Sequence, residues 1–207
     1  MDLLLVRHGV TRHNADRIFM GHDPVPLAPE GRDQVRRLAS RLGARKIDRI
    51  VASDIARARE SAEILSSALG LPFETHAALR EVHVGEAEGV SYADAAGRWP
   101  EVFDPAGEGR FPGGESFADV ADRASAFLRD SVITDEPETV LVVTHGGVVR
   151  GAGARLLGLS LRAIGPFAVD NASLTMLRAD GPGIWCLTWN DTAHLDAAGT
   201  TGRWVGG

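Results

Sequence analysis

A chain of 207 residues is long enough to bury one sizeable core, and a single domain spanning 1–207 is its expected organisation. A formal net charge of -6 argues against a nucleic-acid or anionic-membrane surface as the main partner, and a small metabolite fits better. Cys186 is the only cysteine, which excludes an intrachain disulfide and a cysteine metal cage; between Trp185 and Leu187 it reads as a small buried apolar residue. No apolar run approaches the roughly 18 to 20 residues of a membrane span. The apolar stretch Leu3-Leu4-Leu5-Val6 is too short for a signal peptide, so the expected location is the cytoplasm.

The first element is that apolar run, which stops on Arg7-His8-Gly9 and reads as a strand buried on both faces. After Pro29-Glu30-Gly31, the residues Val35, Leu38, Ala39 and Leu42 repeat as one face of a helix ending near Gly43. Its other face carries Arg32, Arg36, Arg37 and Arg41 and reads as solvated. A second strand, Arg49-Ile50-Val51-Ala52, ends at Ser53-Asp54, either of which could cap the next helix. That helix shows a stripe of Ala58, Ala62, Leu65 and Leu69 and stops at Gly70. Residues 79–115 then break the pattern with repeated glycine and proline, leaving room for one short helix over 92–99. A long irregular excursion of this kind is expected to cover the site like a lid.

Order returns at Ser116-Phe117-Ala118-Asp119, a capping box before Val120, Ala121, Ala124, Phe127 and Leu128 at helical spacing. Val140-Leu141-Val142-Val143-Thr144 is a second buried strand, ending on His145-Gly146-Gly147, and a helix follows over 147–157. Residues 172–177 and 184–189 flank Asp180-Gly181-Pro182-Gly183, the pattern of a hairpin at a sheet edge. The glycine-rich tail from Ala197 is expected to be mobile. Alternating strands and helices predict an α/β fold, a mostly parallel sheet with helices on both faces.

Two strands of such a sheet each deliver a histidine, His8 and His145, to the carboxyl end where open α/β sheets bind ligands. Arg7 and Arg57 stand at the same end. Guanidinium forks and the free amides of a helix start suit a phosphoryl group. His13, His22, His76, His83 and His194 show no metal-ligand spacing, and His83 lies close enough to Glu81 in the chain to line a pocket.

These blocks resemble the histidine phosphatase superfamily, the phosphoglycerate-mutase-like proteins. The resemblance rests on Leu5-Val6-Arg7-His8-Gly9 with Thr11 and Asn14, Ser53-Asp54 with Arg57-Ala58, Leu79-Arg80-Glu81 with Gly85 and Glu88-Gly89, Pro112-Gly113-Gly114-Glu115-Ser116, and Thr144-His145-Gly146-Gly147. It implies a three-layer α/β sandwich with an antiparallel edge strand and no metal or organic cofactor. It makes His8 the nucleophile that becomes phosphohistidine, and Glu81 the proton donor. Arg7, Arg57 and a protonated His145 would surround the phosphoryl group, with Asn14 and Gly146 as further contacts. Phosphoryl transfer asks for this alignment and charge stabilisation. Nearby guanidinium charge should keep His8 neutral.

Val10 and Met20 depart from residues common in relatives and would make the mouth of the site, at Met20 and Gly21, less polar. Trp99, Phe103 and Phe111 either line an apolar subsite or pack the excursion onto the body. Glu115 either touches substrate or supports the helix start. His194, in a segment similar to one in phosphatase members, reads as structural. The implied activity is that of a metal-independent phosphomonoesterase of histidine acid phosphatase type, acting on a small phosphorylated metabolite. A phosphomutase and a non-catalytic phospho-ligand binder are the alternatives. A homodimer is an ordinary prior, and no stretch of the chain specifies one.

Overall fold

The computed structural model describes residues 1–136 and 138–196; the expectation for the tail from Ala197 lies outside them. Strands β1 (Asp2–Arg7), β2 (Arg49–Ala52), β3 (Phe73–Thr75), β4 (Thr139–Thr144), β5 (Leu174–Asp180) and β6 (Gly183–Asp191) form one six-stranded sheet. Their order is β3-β2-β4-β1-β5-β6. β1 runs parallel to β4, as does β2 to both β4 and β3, whereas β5 is antiparallel to β1 and to β6. The antiparallel edge is thus a hairpin of two strands. Phe73–Thr75, only three residues after Pro72, has no periodicity to announce it.

The central strands are buried on both faces, and alternation sorts their side chains into two cores. Leu3 and Leu5 of β1 with Val140 and Val142 of β4 face one core; Leu4, Val6, Leu141 and Val143 face the other. Each such leucine or valine contributes about 1.5–3 kcal/mol on full burial. Helices α2 (Pro29–Leu42) and α3 (Ala56–Leu69) close the second core with Val35, Leu38, Leu42, Ala62 and Leu65. Helices α5 (Phe117–Phe127) and α6 (Gly146–Leu156) close the first with Val120, Ala124, Val148, Val149 and Ala152. This is the three-layer sandwich. Short helices α1 (Arg12–Ala15), α4 (Tyr92–Arg98), α7 (Leu161–Ile164) and α8 (Ala193–Asp196) lie in the connections.

Local signals worked where the chemistry was local. Pro29 starts α2, and Ser116 and Asp119 form the capping box of α5. Gly70 ends α3 at a φ of 68°, a left-handed cap that glycine adopts without strain. On the basic face of α2, Arg32 pairs with Glu60, Arg36 with Asp33 and Arg41 with Asp191.

Two expectations change. Neither Ser53 nor Asp54 caps α3: its cap residue is Ile55, with no side-chain bond, because Ser53 and Asp54 are spent on the site described below. Cys186 is exposed, since β6 is the sheet's edge and is uncovered at Trp185, Cys186 and Leu187. The excursion is anchored to the body: Leu79, Val82, Val84, Ala87, Val102 and Phe111 are buried in the first core. Phe111 packs against Phe19, Phe103 and Phe117 at ring distances of 5.3, 6.4 and 5.9 Å, and Trp99 packs on the same core, so these rings hold the excursion to the body.

Candidate active site

The register Arg7↔Thr144 sets His8 and His145 side by side just beyond the ends of β1 and β4. Their rings are 5.2 Å apart, edge to face, and both are buried. Ser53, one residue beyond β2, and Arg57, in the first turn of α3, complete the cluster from the neighbouring strand.

The partners of His8 assign its tautomer. Nδ1 lies 2.7 Å from the Gly9 carbonyl, which only accepts, so Nδ1 carries the proton. Nε2 accepts from Arg57 Nε at 3.2 Å, and a guanidinium only donates, so Nε2 holds a lone pair. Burial first, then the charges of Arg57 and Arg7, push the His8 imidazole well below its ordinary range and keep it neutral.

Arg57 is almost wholly buried. Besides His8 it donates to the Asp23 carbonyl at 3.1 Å and the Gly21 carbonyl at 2.9 Å. Burial, helped by Arg7, lowers it to about 10, still charged at neutral pH. Arg7 donates through Nη1 to the Val169 carbonyl at 2.7 Å, while its buried Nε has no partner among the described residues. His145 has Nε2 on Ser53 Oγ at 2.8 Å and likewise leaves a buried Nδ1 without a partner. Ser53 Oγ already accepts the Ile55 amide at 3.3 Å and is free to give its own proton to Nε2, a state that puts the His145 proton on Nδ1.

The protonated His145 of the sequence reading is corrected. Burial first, then the charges of Arg57, His8, Arg7 and His22, hold it well below the usual imidazole range. Unfolded, the two buried histidines titrate near 6.5. Below that pH the unfolded chain takes up protons that the native state refuses, so stability falls as pH drops, by roughly 1.4 kcal/mol per pH unit for each histidine. Denaturant melts between pH 7 and 5 should therefore show a shallower pH slope for His145→Gln than for wild type. Equal slopes would mean that His145 is not held neutral.

Glu81 enters from the excursion. The Thr144 hydroxyl donates to the Leu79 carbonyl at 2.8 Å, and Asp54 accepts the fork of Arg80, tying residues 79–80 to the strand ends. The Glu81 carboxylate then accepts the amides of Val82 at 3.0 Å and Gly147 at 3.1 Å. A Cβ at Gly147 would lie 2.3 Å from Glu81 Oε1, so any larger residue there would push the carboxylate out of this position. Gly146 opens α6 with its amide at the positive end of the helix, and its missing side chain leaves room for Arg7 Nε, 3.4 Å from where a Cβ would sit.

The remaining named residues are arranged as follows. Asn14 Oδ1 accepts from the Thr11 amide, the Thr11 hydroxyl and Asn171 Nδ2, so Nδ2 is the end of Asn14 left for a ligand. Met20 turns inward, its Sδ 3.2 Å from Thr11 Oγ1; buried there, it does not make the mouth apolar. Gly21 acts through the carbonyl that holds Arg57. Glu115 lies in the fork of Arg123 and accepts the His83 amide at 2.9 Å, so both its oxygens are engaged within the protein. Burial raises its carboxyl, and the bonds from Arg123 and His83 outweigh that and bring it below the usual range.

Sequence reasoning missed Ser53 as the His145 partner and Asn171, which donates to the His8 carbonyl at 3.1 Å as well as to Asn14. It also missed Tyr92, a ring in the excursion that feels the charges of Arg7, Glu81 and Arg57 and is pushed up mainly by burial. Neighbouring imidazoles at two parallel strand ends mark His8 and His145 in the sequence; nothing comparable marks these three.

Comparison with known proteins leads to the same place. The description "histidine phosphatase superfamily (branch 1)" matches residues 3–192. Phosphoglycerate mutase-like protein 4 of Arabidopsis thaliana is 34% identical over 214 residues, covering 100% of this chain and 92% of the plant protein. A mycobacterial glucosyl-3-phosphoglycerate phosphatase solved with VO3 has a TM-score of 0.81 at 31% identity, over 91% of this chain and 98% of that one. The alpha-ribazole phosphatase of Shigella flexneri has a TM-score of 0.83 at 26% identity, over 93% and 97%. With a family match over nearly its whole length and the paired strand-end histidines in place, this chain belongs to the histidine phosphatase superfamily.

Proposed function

We propose that the protein hydrolyses a small organic phosphomonoester through a phosphohistidine on His8. The observation that carries the reading is a His8 Nε2 lone pair held by Arg57, together with two buried polar atoms of neighbouring residues, Arg7 Nε and His145 Nδ1, that lack partners among the described residues. Buried polar atoms are nearly always paired, and phosphoryl oxygens would pair these.

In the first step Nε2 bonds to phosphorus as the ester P–O bond breaks. Arg7, Arg57, the His145 N–H and the Gly146 amide take up charge on the equatorial oxygens, and Asn14 Nδ2 is a further donor. Protonated Glu81 gives its proton to the leaving oxygen. The ring, now carrying a proton on Nδ1 and phosphorus on Nε2, is positive, and the Gly9 carbonyl opposite Nδ1 stabilises it. In the second step water attacks phosphorus, the N–P bond breaks, and Glu81 takes the water's proton. Chemistry of this kind draws on the chain's own cations and carboxylate.

Hydrolysis is favoured over phosphoryl return by the block Leu79-Arg80-Glu81-Val82-His83-Val84-Gly85-Glu86-Ala87-Glu88-Gly89, which resembles phosphatase members, and by the two phosphatase structures that the fold matches. The name of the plant relative favours a mutase. The test is phosphate release from a panel of sugar phosphates, phosphoglycerates and nucleotide-loop phosphates, with and without EDTA. Release unchanged by EDTA is expected. No release from any ester, with phosphoryl movement between hydroxyls of a sugar acid, would replace the phosphatase by the mutase.

A further inference from the structure

The acid that protonates a leaving group must be held to within a fraction of an ångström, and Glu81 sits on an irregular segment with no helix or strand to hold it. Among the described residues its own carboxylate bonds reach only Val82 and Gly147. The main chain that carries it is gripped from two sides.

On one side stands Arg123, on the inner face of α5. It makes five hydrogen bonds, one for each N–H of its guanidinium. Nη1 donates to the carbonyls of Ala78 at 2.8 Å and Arg80 at 3.0 Å, and Nη2 to that of Glu81 at 3.3 Å. Nε and Nη2 also bind both oxygens of Glu115, at 3.0 and 2.9 Å. Glu115 in turn accepts the His83 amide, so the residues on both sides of Glu81 hang from one guanidinium.

On the other side stands His22, whose Nε2 lies 2.8 Å from the same Glu81 carbonyl and is therefore the donor. Its own amide donates to Glu88 Oε1 at 2.9 Å, and its ring meets His83 edge-on at 4.9 Å. Its chain neighbours Gly21 and Asp23 supply the two carbonyls that hold Arg57. Residues 21–23 thus join the phosphate-binding arginine to the proton donor.

We infer that Arg123 and His22 are positioning residues for Glu81, clamping its carbonyl so that the carboxylate meets the leaving oxygen while residues 21–23 keep Arg57 in register with it. The inference rests on the acid role proposed for Glu81. Neither residue bonds to His8, Arg7, Arg57 or His145 among the described residues, so loosening the clamp should slow the step that needs a proton and spare the step that does not.

The experiment measures kcat and KM for aryl and alkyl phosphates of graded leaving-group pKa in wild type, Glu81→Gln, Arg123→Lys, His22→Phe and His22→Gln, with melting temperatures recorded for each. A misplacement of about 1 Å can cost about 10²-fold. Arg123→Lys and His22→Phe should therefore lose about 10- to 100-fold in kcat on alkyl phosphates, far less on p-nitrophenyl phosphate, and little in KM. His22→Gln, which retains an N–H donor, should recover part of the loss. If Arg123→Lys does not fold, the two His22 variants decide the matter alone.

A steep leaving-group dependence in Glu81→Gln together with a flat, uniform loss or no loss in the clamp variants would overturn the inference and leave the acid role standing. A flat dependence in Glu81→Gln would remove the acid role, and the inference would fall with it.

Discussion

His8→Ala is expected to bring phosphate release down to background, a loss of at least about 10⁴ by analogy with removal of a catalytic nucleophile elsewhere, while the fold survives. The loss is large because no other group in the site offers a lone pair at that place: His145 has Nε2 committed to Ser53, and the arginines only donate. The fold survives because the backbone bond from His8 N to the Thr144 carbonyl, 2.9 Å, does not involve the side chain. What the variant gives up is the bond to the Gly9 carbonyl and the acceptor for Arg57 Nε, about 1–3 kcal/mol for groups left unpaired. Rapid acid and alkaline quenching after incubation with labelled substrate checks the assignment directly. Wild type should carry an alkali-stable, acid-labile phosphoryl label and His8→Ala none. A label that persists in the variant would move the nucleophile elsewhere.

The parts of this site that were legible are those whose cause lies within a few residues. Leu3 to Val6 and Val140 to Val143 are apolar at every position because both faces of their strands are covered, and the abrupt change to Arg7-His8-Gly9 or Thr144-His145-Gly146 marks where cover ends. The resemblance to a known family then added Glu81, which no periodicity would have singled out. What stayed hidden depends on partners far away in the chain. Ser53 looked like a helix cap until its hydroxyl met His145, 92 residues on. Nothing in the sequence set Arg123 apart, and Glu115 stood open between touching substrate and supporting the helix start, until the fold closed the fork between them. Cys186 shows the reverse failure: apolar neighbours signal burial only where a second layer covers them, and an edge strand has such cover on one side at most.

Arg57→Lys is the substitution that separates charge from geometry. The site keeps its positive charge, yet the planar fork is lost, and with it the ability to reach His8 Nε2, the Gly21 carbonyl and the Asp23 carbonyl at once. A lysine ammonium at this depth is also more strongly hydrated than a guanidinium, so its burial is costlier. Two consequences follow. Turnover should fall by about 10²–10³, the usual cost of removing one preorganised donor from a developing oxyanion. Binding of inorganic phosphate should weaken as well, and this is visible without any turnover: a ligand that binds only the native state raises stability by about 2.7 kcal/mol at a hundred times its dissociation constant. Thermal melts with increasing phosphate should therefore show a large upward shift for wild type and a small one for Arg57→Lys. His8→Ala, which removes the nucleophile and retains the arginines, should keep most of the shift. If Arg57→Lys kept the full shift and lost only turnover, Arg57 would act on the nucleophile alone, holding His8 Nε2 in place, and phosphate binding would belong to Arg7, His145 and the start of α6.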